Sequence, residues 1–178
     1  ALAFFDYLRE HGMNVCFSNP GTSEMPLLEA MGQGNEWNTI LCLHENVATG
    51  AADGFARMKS GHCMVLLHLG PGVANGLTNI HNARRAGSKI LIVVGEIATT
   101  HQGKGSVLET NIELCAQWVD AAYFPINSVS DVQRAALGAC AHNGLSLVTF
   151  PHNIQIASAD PLLSSCSVFR DSVDSVDA

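Results

Sequence analysis

A glutamate and a histidine stand where two predicted strands end, and their side chains could move protons there. Glu45 follows the segment 38–43 and opens a predicted helix, and His68 ends the apolar run 62–68. Ligands of open α/β sheets bind at the carboxyl ends of the strands, so both side chains are predicted at the ligand-binding edge. A carboxyl group and an imidazole in that place can act as general acid or base.

Each of these two residues also has a purely structural interpretation. An acidic side chain in the first turn of a helix is favoured by the helix dipole, which would by itself explain Glu45. A histidine at the end of a strand, such as His68, can simply be satisfied by nearby backbone groups. From the residues alone, both interpretations stay open.

Two segments that contain glycine follow predicted strands and could approach a ligand closely. Residues 19–26 read NPGTSEMP, and Gly-Pro-Gly at 70–72 predicts a turn between the third strand and the next helix. The spacing Gly70, Gly72, Gly76 is one residue longer than the dinucleotide motif GxGxxG, and it lies in the third strand–helix connection, not the first. A dinucleotide-binding Rossmann-like domain is therefore the less favoured alternative.

Apolar segments and helical segments alternate along the chain, which is typical of a doubly wound α/β fold. Strands are predicted at residues 14–17, 38–43, 62–68, 89–94, 121–124 and 146–150. Helices are predicted at residues 2–11, 24–31, 45–59, from the Gly-Pro-Gly turn to 85, 109–117 and 131–142. Connections of this length join parallel strands, so we predict about six mainly parallel strands flanked by helices.

The composition suits one domain that hides part of its surface against a partner. Of the 178 residues, 47% are hydrophobic and 14% are charged, which leaves few charges to cover a solvated exterior. Residues 1–157 are predicted to form the folded domain. Residues 158–178 are rich in Ser and Asp and are predicted to be a linker or a disordered tail.

Charge and hydropathy argue against several classes of protein. A net charge of -7 disfavours nucleic-acid binding, which needs a basic surface. The cysteines form no CxxC pair and the histidines no HxxxH or HExxH spacing, so we expect reduced thiols and no protein metal site. Without a secretory signal or an apolar stretch of about 18 residues, we expect a cytoplasmic, organelle-matrix or stromal protein.

Four segments together resemble the N-terminal pyrimidine-binding (PYR) domain of thiamine diphosphate (ThDP) enzymes, in the benzoylformate decarboxylase and acetolactate synthase group. Residues 19–26 are similar to the NPG-x-x-E-x-P segment of that group, and residues 42–57 to its HE…AxGYAR segment. Residues 67–76 are similar to its GPG-x-x-N segment, and residues 90–95 to the apolar strand that follows. Order and spacing agree across about residues 4–155.

This resemblance implies a role for Glu45 in activating the cofactor. In such enzymes a glutamate at this position shares a proton with N1′ of the aminopyrimidine ring, which favours the imino tautomer that generates the ylide. The resemblance also implies that Thr22 contacts the substrate and that His68 relays protons. It further implies cofactor contacts from Pro20, Gly21, Gly70, Gly72 and Asn75.

The resemblance covers one of the two domains that hold ThDP in these enzymes. The other binds the diphosphate through Mg²⁺ and a GDG…N motif, which this sequence lacks. We therefore expect a diphosphate-binding domain or subunit as partner, a homo- or hetero-oligomer, and no activity of this chain alone.

The specific reaction and the present use of the fold stay open at this stage. A 2-oxo-acid decarboxylase or an acetolactate-synthase-like enzyme is predicted, although residues 106–111 lack the Phe-Gln-Glu segment typical of acetolactate synthases. The alternative is a non-catalytic subunit with a structural role in a larger protein assembly.

Overall fold

The sheet is built from the most apolar segments of the chain. The computed structural model describes residues 1–33, 36–59 and 61–157, so the tail predicted at 158–178 lies outside the described residues. The strands are β1 Val15–Asn19, β2 Asn38–Leu41, β3 Cys63–His68, β4 Ile90–Glu96, β5 Ala122–Pro125 and β6 Leu145–Pro151. Every neighbouring pair is parallel, which confirms the predicted fold class.

Helices fill the connections between the strands, close to the predicted positions. They are α1 Leu2–Glu10, α2 Met25–Gly32, α3 Glu45–Met58, α4 Leu69–Ala86, α5 Ile112–Trp118, α6 Asp131–Ala141 and α7 His152–Gln155. Only the one-turn helix α7 was not predicted. Within the described ranges, no helix is both long and apolar enough to span a membrane.

The strand order predicts that a ligand would bind between the ends of β1 and β3. The order across the sheet is β2-β1-β3-β4-β6-β5. From β1 the chain moves outward to β2, whereas from β3 it moves the other way to β4, so the direction of winding reverses between β1 and β3. Open α/β sheets bind ligands beyond the carboxyl ends of the strands at such a point. The order also differs from that of the classic Rossmann fold, which removes the structural basis for the dinucleotide alternative.

Helices cover both faces of the sheet and bury its central strands. Helices α1, α2 and α6 contribute to one apolar core, and α3, α4 and α5 contribute to the other. Strand β4 is buried along its whole length, and β3 is buried except for its last residue, His68. Burial on two faces explains why these strands are almost uninterrupted runs of apolar residues.

The prediction of a turn at Gly-Pro-Gly 70–72 is wrong, because these residues are helical and lie near the start of α4. The helix begins at Leu69, directly after His68, and the change of direction is made by Leu69 itself, whose φ is 48°. Pro71 is the third residue of the helix, where a backbone N–H has no partner within the helix and none is therefore lost. The start of α4 thus lies directly at the end of β3.

The central strand should dominate the stability of the domain. Leu66 on β3 is 0% exposed, whereas Leu43, which follows β2, is 94% exposed. We expect Leu66→Ala to lower the free energy of unfolding by about 2–5 kcal/mol, because it leaves a cavity between sheet and helices. Leu43→Ala, the matched control, should change it by less than about 0.5 kcal/mol. Urea unfolding measures both, and equal effects would contradict this view of the core.

Candidate ligand site at the end of the central strands

The segment after β1 forms a tight turn that is held by the side chain of Glu24. Pro20 and Gly21 lead into a 3₁₀ turn at Thr22–Glu24, and helix α2 follows immediately. The N–H of Gly21 donates a hydrogen bond of 2.7 Å to Oε2 of Glu24, which closes the turn. Glu24 has no exposed surface, so an ionisable side chain lies inside the protein at the end of the strand.

His68 meets this glutamate at the end of β3. Its Nδ1 lies 2.8 Å from Glu24 Oε2, and 24% of the imidazole side chain remains exposed. The imidazole rests against the backbone of Gly21, where any Cβ would overlap the ring. Gly21 is therefore needed for a close approach of backbone and ring, rather than for an unusual backbone angle.

The second oxygen of Glu24 is buried without a hydrogen bond. Among the described residues, Oε1 has no partner, and it lies against Gly95 on β4, where a Cβ would overlap it. Burial raises the pKa of Glu24, and the hydrogen bonds from Gly21 and His68 oppose that rise only in part. A buried acid with an unused oxygen is costly, and it marks this spot as chemically unusual.

Glu45 reaches the same area from the other side of β3. It is the first residue of α3, and only 12% of its side chain is exposed. Asn75 on α4 donates a hydrogen bond of 3.0 Å from Nδ2 to Glu45 Oε2. A Cβ on Gly72 would lie 3.6 Å from Glu45 Oε1 and 3.6 Å from His68 Cβ. Gly72 therefore separates the two side chains that were predicted to move protons.

Helices α3 and α4 are tied together just behind Glu45. Thr49 donates a hydrogen bond of 3.2 Å to the carbonyl oxygen of Gly76, and Asn79 donates one of 2.7 Å to that of Asn46. A Cβ on Gly76 would lie 2.9 Å from the Thr49 methyl group, so the two helices are in close contact there. The position of Glu45 relative to α4 is therefore held by hydrogen bonds from side chains of one helix to backbone carbonyls of the other.

The loop between β4 and α5 covers the start of α4. Thr110 in this loop lies against Gly70, where a Cβ would overlap its side chain. Glu109 accepts hydrogen bonds from the backbone N–H groups of Gly103 and Ser106, which hold the loop together. Gly70 is consequently buried under the loop, in contact with Thr110.

The structure brings most of the predicted site residues together. Gly21, His68, Gly72, Glu45 and Asn75 form one continuous set of contacts at the point where the winding reverses.

Three other predicted residues lie near this set with weaker contacts. Pro20 is half-buried beside Gly21, and Gly70 is buried beneath Thr110. The hydroxyl group of Thr22 is exposed and has no hydrogen-bond partner within the described ranges. The chemical roles assigned to all these residues remain predictions.

Glu24 and Gly95 were missed as site residues, although Glu24 lies inside one of the segments that were singled out. Its distance of three residues from Gly21 is the available signal, since a glutamate at this spacing can accept a hydrogen bond from a preceding backbone N–H. Nothing in the sequence indicates that the same carboxyl group also meets His68, 44 residues away.

Two glutamates beside the site should give opposite dependences of stability on pH. Burial, together with the charges of Glu109 and Glu24, raises the pKa of Glu96, whereas hydrogen bonds from Gly103 and Ser106 lower that of Glu109. A raised pKa means that stability from Glu96 is present below the ordinary value of 4.5 and is lost as pH rises through the folded value. A lowered pKa means that stability from Glu109 is lost as pH falls below 4.5.

Urea unfolding between pH 3 and pH 7 tests this pair, because the Glu109 contribution changes mainly below pH 4.5. Relative to the parent chain, Glu96→Gln should gain stability as pH rises, whereas Glu109→Gln should lose it over the same range. The two variants are isosteric with the parent, so a common trend in both would contradict the assigned directions.

The family described as "Thiamine pyrophosphate enzyme, N-terminal TPP binding domain" matches residues 1–117. The chain is 44% identical over 141 residues to IlvX of Mycobacterium tuberculosis, a provisionally assigned acetolactate synthase large subunit, covering 79% of this chain and 27% of that protein. It is 36% identical over 94 residues to the benzoylformate decarboxylase of Pseudomonas aeruginosa, covering 53% of this chain and 17% of that enzyme.

The fold is also that of a solved enzyme of this kind. The ThDP-dependent 4-hydroxybenzoylformate decarboxylase of Rhodococcus jostii RHA1 superposes with a TM-score of 0.85 at 23% identity, over 91% of this chain and 32% of that one. The chain thus spans less than a third of the length of the two curated relatives, and about a third of the solved chain. It belongs to the family of N-terminal, pyrimidine-binding domains of enzymes that depend on thiamine diphosphate.

Proposed function

We propose that this domain forms the pyrimidine half of the cofactor site in a 2-oxo-acid decarboxylase or an acetolactate-synthase-like enzyme. The observation that carries the proposal is that only one of the two carboxyl oxygens of Glu45 is hydrogen-bonded among the described residues. Its Oε2 is held by Asn75, whereas its Oε1 has no hydrogen-bond partner among the described residues and lies beside Gly72. A carboxyl oxygen left free at the edge of the sheet suits a hydrogen bond to N1′ of an aminopyrimidine ring.

The surroundings of Glu45 fit a group that holds a proton for such a ring. Asn75 fixes the orientation of the carboxyl group, because it occupies Oε2 and leaves Oε1 to face the ligand. The side chain is 12% exposed, so water competes little for the free oxygen. When bound, ThDP would supply an electron sink for the carbanion that forms when a 2-oxo acid loses carbon dioxide.

His68 and Thr22 suit the substrate side of the same site. No described residue forms a hydrogen bond to His68 Nε2, so this nitrogen can hold or release a proton near a bound substrate. The exposed hydroxyl of Thr22 can donate a hydrogen bond to a carboxylate. Pro20 and Gly21 would contribute the backbone on this side, and Gly72 would let the cofactor approach between His68 and Glu45.

The proposed site needs a partner, which would supply the diphosphate half and Mg²⁺. Leu41, Leu43 and Val47 at the end of β2 and the start of α3 are 70%, 94% and 57% exposed. These apolar side chains lie next to Glu45 in the sequence, and they support a partner domain or a second subunit that covers this end of the sheet. We place the folded domain at residues 1–157, and the assembly in the cytoplasm or an organelle matrix or stroma.

Replacement of Glu45 should remove catalysis while leaving the fold intact. The protein is first purified natively, and mass spectrometry identifies whatever polypeptide completes the site. In that holoprotein, loaded with ThDP and Mg²⁺, we expect Glu45→Gln to slow carbon dioxide release from pyruvate or benzoylformate by about 100-fold or more. The amide keeps the shape of the side chain but cannot exchange a proton with the ring.

Glu29→Gln is the matched control, because Glu29 is exposed on α2 and makes none of the contacts of the site. Its rate should equal that of the parent protein. Full activity of Glu45→Gln would contradict the role of Glu45. Co-purification with unrelated proteins and no ThDP would instead identify a structural subunit and contradict the enzymatic proposal.

A further inference from the structure

The proton between Glu24 and His68 decides which ring nitrogen is available at the site. Glu24 Oε2 accepts a hydrogen bond from the N–H of Gly21 at 2.7 Å, and the same oxygen lies 2.8 Å from His68 Nδ1. An oxygen that accepts two hydrogen bonds needs an N–H group on each partner, and Nδ1 is the imidazole atom that can supply the second one. The proton of this hydrogen bond therefore belongs on Nδ1, and Nε2 of the neutral ring carries a lone pair.

We propose that Glu24 is a positioning residue for His68, holding the imidazole in the Nδ1–H tautomer so that Nε2 faces the substrate as a proton acceptor. One part of this inference, the contact between Nε2 and a substrate, rests on the function proposed above. The tautomer itself is a property of these side chains and does not require ThDP. In this role Glu24 touches neither cofactor nor substrate and acts only through the ring.

Packing holds the glutamate in the orientation that this role needs. The absence of side chains at Gly21 and Gly95 leaves space for the imidazole on one side and for Glu24 Oε1 on the other. Because Oε1 has no described hydrogen-bond partner, Oε2 is the oxygen that receives both donors. The cost of burying Glu24 is offset in part by the two hydrogen bonds that Oε2 accepts.

The first experiment reads the tautomer in the parent chain. The 178-residue chain is labelled with ¹⁵N in its histidines, and the ring signals of His68 are assigned by comparison with His68→Gln. We expect the proton on Nδ1 and an unprotonated Nε2 at a pH where the ring is neutral. A proton on Nε2 in the parent chain would overturn the proposal without reference to any variant.

Two substitutions test whether Glu24 is the cause. Glu24→Leu removes both oxygens, so the Nδ1–H signature should be lost in favour of the Nε2–H form that a free histidine prefers. Gly95→Ala keeps Glu24 but places a methyl group where Oε1 lies, and it should cause the same loss. Gly54→Ala on α3 is the control for added volume, because its methyl group meets no atom within 4 Å.

The outcomes separate this inference from the proposed function. An unchanged tautomer in folded Glu24→Leu or Gly95→Ala, judged by an unchanged amide spectrum elsewhere, would overturn the positioning role. If Glu24→Leu does not fold, the tautomers measured in the parent chain and in Gly95→Ala still test the positioning role. Full activity of Glu45→Gln together with the expected tautomer would contradict the cofactor role of Glu45 and leave the Glu24–His68 pair established.

Discussion

Glu24 is buried completely, yet its carboxyl group joins three segments that are far apart in the chain. Oε2 holds the backbone of Gly21 after β1 and the imidazole of His68 at the end of β3, while Oε1 lies against Gly95 on β4. A buried acid is costly unless it is hydrogen-bonded, so the geometry of these contacts is closely constrained. This one group therefore links the ends of β1, β3 and β4.

Glu45 differs from Glu24 in its burial and in its hydrogen bonds. Its side chain is partly exposed, and among the described residues only Oε2 is held, by Asn75 at 3.0 Å, with His44 Nδ1 3.9 Å away. The contacts between Thr49 and Gly76 fix α3 against α4, so the free oxygen keeps its place beside Gly72 without being buried. One carboxyl group is thus enclosed beside His68, whereas the other keeps one oxygen without a hydrogen-bond partner among the described residues.

The proposed site is formed by residues at one end of the sheet, and a second domain would complete it. Glu45 and His68 keep 12% and 24% of their side chains exposed, and the exposed apolar residue Leu43 lies two positions before Glu45. A cofactor held there would keep one side open to a second domain. This arrangement agrees with relatives in which the matched region makes up less than a third of the protein.

The sequence by itself determined the six strands and their parallel pairing, and it indicated most of the residues that meet at the end of β3, because apolar periodicity and motif spacing are local patterns. It could not determine that Gly70–Gly72 opens a helix, since that depends on how α4 meets the end of β3. Nor could it reveal that Glu24 meets His68 and Gly95, because these residues are adjacent only once three strands have paired. Local patterns identified Glu45 and His68 as residues that could do chemistry, and only the tertiary packing showed that His68 contacts Glu24.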